Sequence, residues 1–231
     1  MSTSASVRHA ANRSLRSPSA RYRARMESTS SATLQARLVQ SELENLAEVL
    51  ERLSADGSVR RAAAITVAAR RRFVIGSGKS HAYANLLATD LSAAVAQVSL
   101  VDDSSLSALD LLSDVRDTDV LIAFSFRRYR RSTVEIAAQF AAAGGTVVAI
   151  TDDATSPLAR CASECVEVVT DSASYADSPT AVAATIHLLS TLTTASAKGA
   201  RRRFADRDRL SAALGLYVDE GTDQAGVEED S

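Results

Sequence analysis

The sequence predicts an α/β fold, in which a doubly wound, five-stranded parallel sheet is flanked by helices. Short β-rich runs alternate with helical stretches between residues 73 and 199, which is typical of strand–helix–strand crossovers in parallel sheets. The runs are almost continuously apolar, as expected for strands that helices cover on both faces. Five strands with flanking helices need about 120–130 residues at the usual element and loop lengths, which this span provides.

Two helices precede the predicted sheet. Leucine and valine side chains recur at helical spacing over residues 32–53, and the Asp56-Gly57 pair ends that helix. A second, alanine-rich helix over residues 59–69 leads into an arginine run. We therefore expect residues 31–70 to form linker helices ahead of the sheet domain.

The sheet domain itself is expected over residues 71–200. Its predicted strands are residues 73–77, 97–102, 119–125, 146–151 and 165–170. The helices predicted between and after these strands are residues 80–95, 105–115, 132–143, 156–163 and 178–197. With 46% hydrophobic residues but no Trp and only 4% aromatic residues, the core must consist mainly of Ala, Val, Leu and Ile.

The two ends of the chain carry opposite charge. Residues 1–25 hold six Arg and no acid, whereas residues 219–231 hold six acids and no base. Because both ends are polar and poor in large apolar residues, we expect residues 1–30 to be a disordered basic segment. Residues 201–231 are expected to form a helix and a disordered acidic tail. The formal net charge of −2 shows that the molecule as a whole is not a polycation.

Composition also narrows the class of protein. Cys161 and Cys165 are too few for a disulfide framework, and we expect them to be small buried thiols in a reducing cytoplasm. No run approaches the roughly 18 apolar residues of a membrane span, and no signal peptide is recognisable, so no membrane partner is expected. The sequence contains no metal-spaced Cys/His cluster, and we expect neither a metal nor another cofactor.

A glycine-rich turn, Gly-Ser-Gly-Lys-Ser over residues 76–80, directly follows the first predicted strand. A nucleotide-binding P-loop would need a glycine where Phe73 stands, and a dinucleotide-binding fingerprint would need one where His81 stands. Nucleotide binding therefore has less support than two other interpretations. The turn is either a tight connection without a ligand or a site for a smaller phosphorylated ligand, with Ser77 and Ser80 as hydroxyl donors.

A cationic loop follows the third predicted strand. Between Ser125 and Ser132 the chain carries four arginines, namely Arg127, Arg128, Arg130 and Arg131. A buried parallel strand that runs into a cationic loop at a helix N-terminus is a place to hold an anion, because open α/β sheets bind ligands at the carboxyl ends of their strands. Like charges this close repel one another, so we expect one or two arginines to face the ligand. The others would face solvent or a partner subunit.

Other polar groups have less specific patterns. Asp152-Asp153 at the end of the fourth strand could hold a metal, but such residues more often cap a turn, and Ser156 before Pro157 is typical of a helix N-cap. The candidates for acid–base chemistry are His81, Glu135 and His187.

The chain from about Leu34 to Leu192 resembles the sugar isomerase (SIS) domain of bacterial RpiR/MurR-type transcriptional regulators. Three segments carry the resemblance, in order RRFVIGSGKSHAYANLLATDL, DTDVLIAFSFRRYRRSTVEIAAQFAAAGGTVVAITDDATSPLA and YADSPTAVAATIHLLSTL. The resemblance implies a flavodoxin-like sheet, a homodimer or homotetramer, and a phosphosugar bound between the two strand-end loops.

The resemblance also implies the site residues. Ser80 matches the first serine of the family pattern, and Ser125 matches the first serine of its S-x-S-G-x-T loop. The implied ligand-binding residues are Gly76, Ser77, Gly78, Ser80, Ser125, Arg127, Arg128, Arg130, Ser132 and Thr133.

The chain departs from the family in two places. Where the family loop carries Ser, Gly and Thr, this loop has Arg127, Arg128 and Arg130, so either the ligand is more acidic than a simple hexose phosphate or the arginines serve a dimer. The family's regulators also carry an N-terminal helix-turn-helix, of which residues 5–26 resemble only the end. DNA binding is therefore expected only if a helix-turn-helix is supplied.

These observations favour a cytoplasmic, phosphosugar-binding sensor or effector module of an RpiR-type regulator. Its ligand would be a phosphorylated sugar or an acidic sugar derivative. The alternative is an aldose–ketose sugar phosphate isomerase, which would need a base and an acid beside the substrate carbons. A third interpretation is direct DNA binding by the basic N-terminus, which would be non-specific and sensitive to salt.

Overall fold

The computed structural model describes residues 17–102, 104 and 106–218. The helices are α1 (Pro18–Arg25), α2 (Ser31–Asp56), α3 (Ser58–Ala68), α4 (Lys79–Ala94), α5 (Ala108–Ser113), α6 (Arg131–Ala142), α7 (Thr180–Ser196) and α8 (Ala200–Ala213). The strands are β1 (Arg71–Gly76), β2 (Val98–Val101), β3 (Asp119–Phe124), β4 (Thr146–Thr151) and β5 (Glu164–Glu167). A short 3₁₀ helix, Ala159–Cys161, lies between β4 and β5.

The five strands form one parallel sheet in the order β2-β1-β3-β4-β5, which confirms the predicted flavodoxin-like, doubly wound fold. From β1 the chain crosses to β2 on one side and then returns to β3 on the other. The loops after β1 and β3 therefore lie next to each other at the point where the direction of winding reverses. In open α/β sheets this is where ligands bind.

Alternate residues of each strand enter two separate cores. Val74, Ile122 and Val148 pack with α2, α3, α4 and α7 on one face of the sheet. Phe73 and Leu121 pack on the other face, with α5, α6 and the 3₁₀ helix. Each fully buried Val, Leu, Ile or Phe contributes about 1.5–3 kcal/mol to folding, so the two-sided burial is the main source of the sheet's stability.

A buried carboxylate joins the starting ends of β1 and β3. The Asp119 side chain is fully buried and accepts hydrogen bonds from Arg71 Nε at 3.0 Å and Nη2 at 2.6 Å. It also accepts the backbone N–H of Arg116 at 2.8 Å. These bonds satisfy the buried charge and hold the two central strands in register.

The structure corrects some element boundaries. The helix predicted over 156–163 is only the 3₁₀ turn Ala159–Cys161, after which the chain enters β5 at Glu164. The Ser156 hydroxyl accepts the Ala159 N–H at 3.1 Å. The helix predicted over 105–115 is shortened, since Ser107 caps its start at Ala108. The fifth strand, predicted to reach residue 170, ends at Glu167. The irregular segment before α7 begins directly after it.

The composition predicts disorder over residues 1–30, but the described part of this basic segment contains the helix α1. Ser17 caps α1 by accepting the Ala20 N–H at 3.2 Å, and Pro18 occupies its first turn. Arg25 then donates to the backbone carbonyls of Ser172 and Ser174. Because this helix is held by polar contacts and buries no residue, an argument from apolar content does not detect it.

The predicted C-terminal helix is present as α8. Residues 1–16, the predicted acidic tail at 219–231, and the first part of the helix-turn-helix-like segment 5–26 lie outside the described residues. Within the described ranges, no helix combines the length and the apolar character needed to cross a membrane.

Candidate functional site

A pocket of about 430 Å³ opens where β1 and β3 end, between the glycine-rich turn and the arginine loop. The irregular segment before α7 and the N-terminal helix α1 complete its walls. The residues that line it are Pro18, Arg21, Ser77, Lys79, Ser80, Tyr83, Ser125, Phe126, Arg127, Arg128, Arg130, Thr170, Tyr175, Ala176 and Asp177.

The glycine-rich turn is shaped by close backbone contact. A Cβ added at Gly76 would lie 2.3 Å from the carbonyl oxygen of Ser80, so only glycine fits beneath the first turn of α4. Gly78 has a φ of +63°, which favours glycine for a different reason. This geometry brings Ser77 and Ser80 to the pocket wall, at the N-terminal end of α4.

The two strand-end loops are joined by hydroxyl groups. Ser77 Oγ lies 2.9 Å from Thr133 Oγ1 and 3.4 Å from Ser132 Oγ. Ser132 and Thr133 therefore support the site from the first turn of α6 instead of lining the pocket. Their role is to set the spacing between the glycine-rich turn and the arginine loop.

Ser125 stands directly after β3 with a hydroxyl that lacks a partner. The residue is 2% exposed, and its Oγ is buried without a hydrogen bond to any described residue. A buried hydroxyl without a partner is uncommon in native proteins and requires an explanation. Its position on the pocket wall makes it suitable as a donor to a bound oxygen atom.

Two of the four loop arginines have carboxylate partners. Arg127 Nη2 lies 3.2 Å from Asp152 Oδ2, and Tyr129 also donates to the Asp152 carboxylate. Burial raises the pKa of Asp152, and the nearby Arg127 guanidinium and the Tyr129 hydroxyl partly oppose that rise. Arg131, by contrast, is 88% exposed and lies 3.7 Å from Glu135, so it faces solvent.

The other two loop arginines, Arg128 and Arg130, line the pocket without a carboxylate partner among the described residues. The Arg130 guanidinium lies over the glycine-rich turn, since a Cβ added at Gly78 would be 3.1 Å from its Nη2 atom. Three of the four loop arginines therefore line the pocket, and two of them lack a described carboxylate partner.

The wall formed by α1 and the segment before α7 carries one acid and one more cation, and Lys79 reaches it from the glycine-rich turn. Asp177 pairs with Arg21 of α1, while Lys79 Nζ donates to the Asp177 backbone carbonyl. After the Arg21–Asp177 and Arg127–Asp152 pairs are counted, the described pocket has three cations without a carboxylate partner, namely Lys79, Arg128 and Arg130. The pocket is therefore positively charged and suits an anion with at least two negative charges.

The aromatic side chains of Tyr83 and Phe126 also line the pocket. Tyr83 of α4 is packed edge-on against Phe126, with 5.9 Å between ring centroids, and its ring is tilted against that of Phe124 at 6.3 Å. Burial, together with the nearby Asp177 carboxylate, raises the pKa of Tyr83 to about 12. The phenol is therefore protonated at neutral pH and can act as a hydrogen-bond donor at the pocket wall.

Six of the ten residues predicted to bind a ligand line the pocket, namely Ser77, Ser80, Ser125, Arg127, Arg128 and Arg130. The other four, Gly76, Gly78, Ser132 and Thr133, belong to the same two loops but do not line the pocket. The sequence prediction missed Arg21, Lys79, Tyr83 and the 175–177 segment. Lys79 lay inside the glycine-rich motif, and residues 175–177 begin the third segment of the family resemblance, so both carried a usable signal.

The acid–base candidates lie elsewhere. His81, Glu135 and His187 are all exposed, and none of them lines the pocket. Asp153 accepts the N–H and hydroxyl of Thr155, which is the turn-capping role expected for it. In the described ranges, no group of three or more His, Cys, Asp or Glu residues is placed to hold a metal ion.

Comparison with known proteins adds to this geometry. Residues 66–197 match the model of the SIS domain. The RpiR transcription factor from Sphaerobacter thermophilus (sugar isomerase domain) is 25% identical, with a TM-score of 0.70 over 78% of this chain and 99% of that one. The chain matches no curated protein sequence.

Two more distant structures show the fold alone. The Vibrio vulnificus NanR protein complexed with ManNAc-6P is 17% identical, with a TM-score of 0.65 over 76% of this chain and 67% of that one. An Escherichia coli CFT073 protein in complex with A5P is 20% identical, with a TM-score of 0.60 over 79% of this chain and all of that one (100%).

Proposed function

The chain belongs to the SIS domain family, and from this premise we propose that it binds a phosphorylated sugar or an acidic sugar derivative in the pocket between the β1 and β3 loops. One observation carries the proposal: Lys79, Arg128 and Arg130 face a pocket in which no described carboxylate neutralises them. A phosphate ester supplies the missing charge, and the Ser80 and Ser125 hydroxyls supply donors to its remaining oxygens.

Within this proposal the protein senses its ligand and does not convert it. An aldose–ketose isomerisation needs a base and an acid on either side of the substrate carbons. Asp177 is the carboxylate that lines the described pocket, and it is engaged by Arg21. Since His81, Glu135 and His187 are exposed and lie away from the pocket, binding without turnover has better support than the isomerase alternative.

We assign the module to a transcriptional regulator of the RpiR type. The 25% identity with the Sphaerobacter thermophilus regulator supports this role, as does the long helix α2, in the position of a linker between a DNA-binding domain and a sensor domain.

Val39 and Leu43 of α2 are 53% and 61% exposed, which suits a homodimer or homotetramer contact. DNA binding would require a helix-turn-helix joined to this module. The two unpaired cysteines suit the cytoplasm.

A thermal-shift panel tests the function. We expect N-acetylmannosamine 6-phosphate, arabinose 5-phosphate, glucose 6-phosphate or another sugar phosphate to raise the melting temperature by several degrees, because a ligand at about 100 times its Kd contributes about 2.7 kcal/mol. The unphosphorylated sugars serve as matched controls and are expected to give no shift. NMR of the same mixtures should detect no isomerised product, whereas catalytic turnover would establish the isomerase instead.

A further inference from the structure

Helix α1 lies well outside the region that matches the SIS domain, yet it forms part of the pocket wall. The family match begins at residue 66, whereas α1 covers Pro18–Arg25. Pro18 and Arg21 nevertheless line the same pocket as Ser80, Ser125 and the loop arginines. The site is therefore enclosed in part by a segment that the SIS domain itself does not include.

The described hydrogen bonds and ion pair that dock α1 reach one short segment, residues 172–177. No residue of α1 is buried. Arg25 Nη1 donates to the carbonyl oxygens of Ser172 at 2.6 Å and Ser174 at 2.8 Å, and Arg21 pairs with Asp177. Since Tyr175, Ala176 and Asp177 also line the pocket, α1 and the ligand would share this segment as a common support.

Arg21 has unused hydrogen-bonding capacity at this wall. Its side chain is only 13% exposed, and one terminal nitrogen is paired with Asp177. Its Nε atom is buried and has no hydrogen-bond partner among the described residues. A guanidinium group has five N–H donors in a planar fork, and here at least one of them has no described acceptor. Arg21 is therefore suited to donate to a second acceptor within the pocket.

The charges around α1 also favour an anion. Burial, with a further contribution from the nearby Arg21 charge, lowers the pKa of Arg25. Arg21 of the docked α1 adds a fourth guanidinium to a pocket that Arg127, Arg128 and Arg130 also line. Like charges that share one pocket repel one another, and an anion bound among them would offset that repulsion.

We propose that α1 is a working part of the ligand site, in which Arg21 donates to the bound sugar phosphate, so that ligand binding and the docking of α1 are thermodynamically coupled. The inference rests on the proposed function and adds a mechanism to it. Coupling is reciprocal, so the factor by which docked α1 raises the affinity equals the factor by which the sugar phosphate favours docking. Ligand occupancy is thereby transmitted to the docking of α1.

The test combines calorimetric titration with hydrogen exchange, using N-acetylmannosamine 6-phosphate and arabinose 5-phosphate as probes. Arg21→Gln is expected to raise the Kd about tenfold or more, because it removes a charge-assisted hydrogen bond. In the unmodified chain, a saturating probe should slow amide exchange over residues 21–29, and Arg21→Gln should abolish that slowing. Arg23→Gln is the matched control: Arg23 is exposed on the same helix and does not line the pocket, so its Kd should change less than about twofold.

Each outcome decides a different claim. If a probe binds the unmodified chain and Arg21→Gln alike, and exchange in residues 21–29 does not respond to it, the coupling of α1 is refuted while the proposed function stands. If neither probe binds the unmodified chain, the proposed function fails and the coupling fails with it. Loss of affinity in Arg21→Gln with the exchange response retained in Arg23→Gln supports the proposal.

Discussion

Replacing both Arg128 and Arg130 by alanine is expected to abolish sugar phosphate binding while the protein remains folded. Each arginine faces the pocket without a described carboxylate partner, and a hydrogen bond to a charged group contributes about 1.5–3 kcal/mol. Loss of both therefore corresponds to a Kd about 10²–10⁴-fold higher. Arg128→Ala alone should already remove most of the thermal shift, as should Ser80→Ala.

The control for this variant is Arg131→Ala in the same loop. Arg131 is 88% exposed and lies beside Glu135, so its removal changes the net charge of the loop without altering the pocket wall. Calorimetric titration should give a nearly unchanged Kd for this control. A sugar phosphate that stabilises the Arg128→Ala/Arg130→Ala variant as much as the unmodified chain would show that these arginines do not form the site.

Replacing Gly76 by alanine is expected to destabilise the fold by about 3 kcal/mol or more. The added Cβ would stand 2.3 Å from the backbone oxygen of Ser80 and 2.6 Å from its carbonyl carbon. Backbone atoms in the first turn of α4 cannot move aside as a flexible side chain can, so β1 and α4 must separate. Chemical denaturation monitored by circular dichroism measures the loss of free energy of unfolding.

Gly144→Ala serves as the matched control for steric contact. Gly144 has a φ of +95°, but no described heavy atom lies within 4 Å of its added Cβ. Its cost is therefore limited to backbone strain, about 1–2 kcal/mol. If Gly76→Ala costs no more than Gly144→Ala, the close approach of the turn to α4 does not constrain the site.

Much of the fold could be predicted because the central strands β3 and β4 are apolar on both faces. The runs at 119–125 and 146–151 alternate with helical stretches, and that rhythm specifies a parallel sheet. The ends of helices and turns were harder to predict where a hydrogen bond from a short polar side chain determines them. Ser107 caps its helix, and the Ser156 hydroxyl accepts a backbone N–H of the 3₁₀ turn. The geometry of both hydrogen bonds depends on the folded backbone, which periodicity does not report.

The site was predictable where it follows strand ends and unpredictable where it depends on distant segments. Ser80, Ser125 and the loop arginines follow two neighbouring strands, so topology alone brings them together. Which pocket arginines lack a carboxylate partner depends on Asp152, which engages Arg127 from the adjacent strand end. The sequence did not indicate that Arg21 lines the pocket, because its partner Asp177 is more than 150 residues away along the chain. In addition, α1 has no apolar pattern that would predict its docking.

A crystal structure of the chain with the sugar phosphate that gives the largest thermal shift tests the central claim most directly. The account predicts a phosphate within hydrogen-bonding distance of the Ser80 or Ser125 hydroxyl and of the Arg128 or Arg130 guanidinium. A second cleft of about 520 Å³ lies on the other side of the same loop, between Arg128, Tyr129 and Arg160. A phosphate bound in that cleft, away from both serines, would contradict the account.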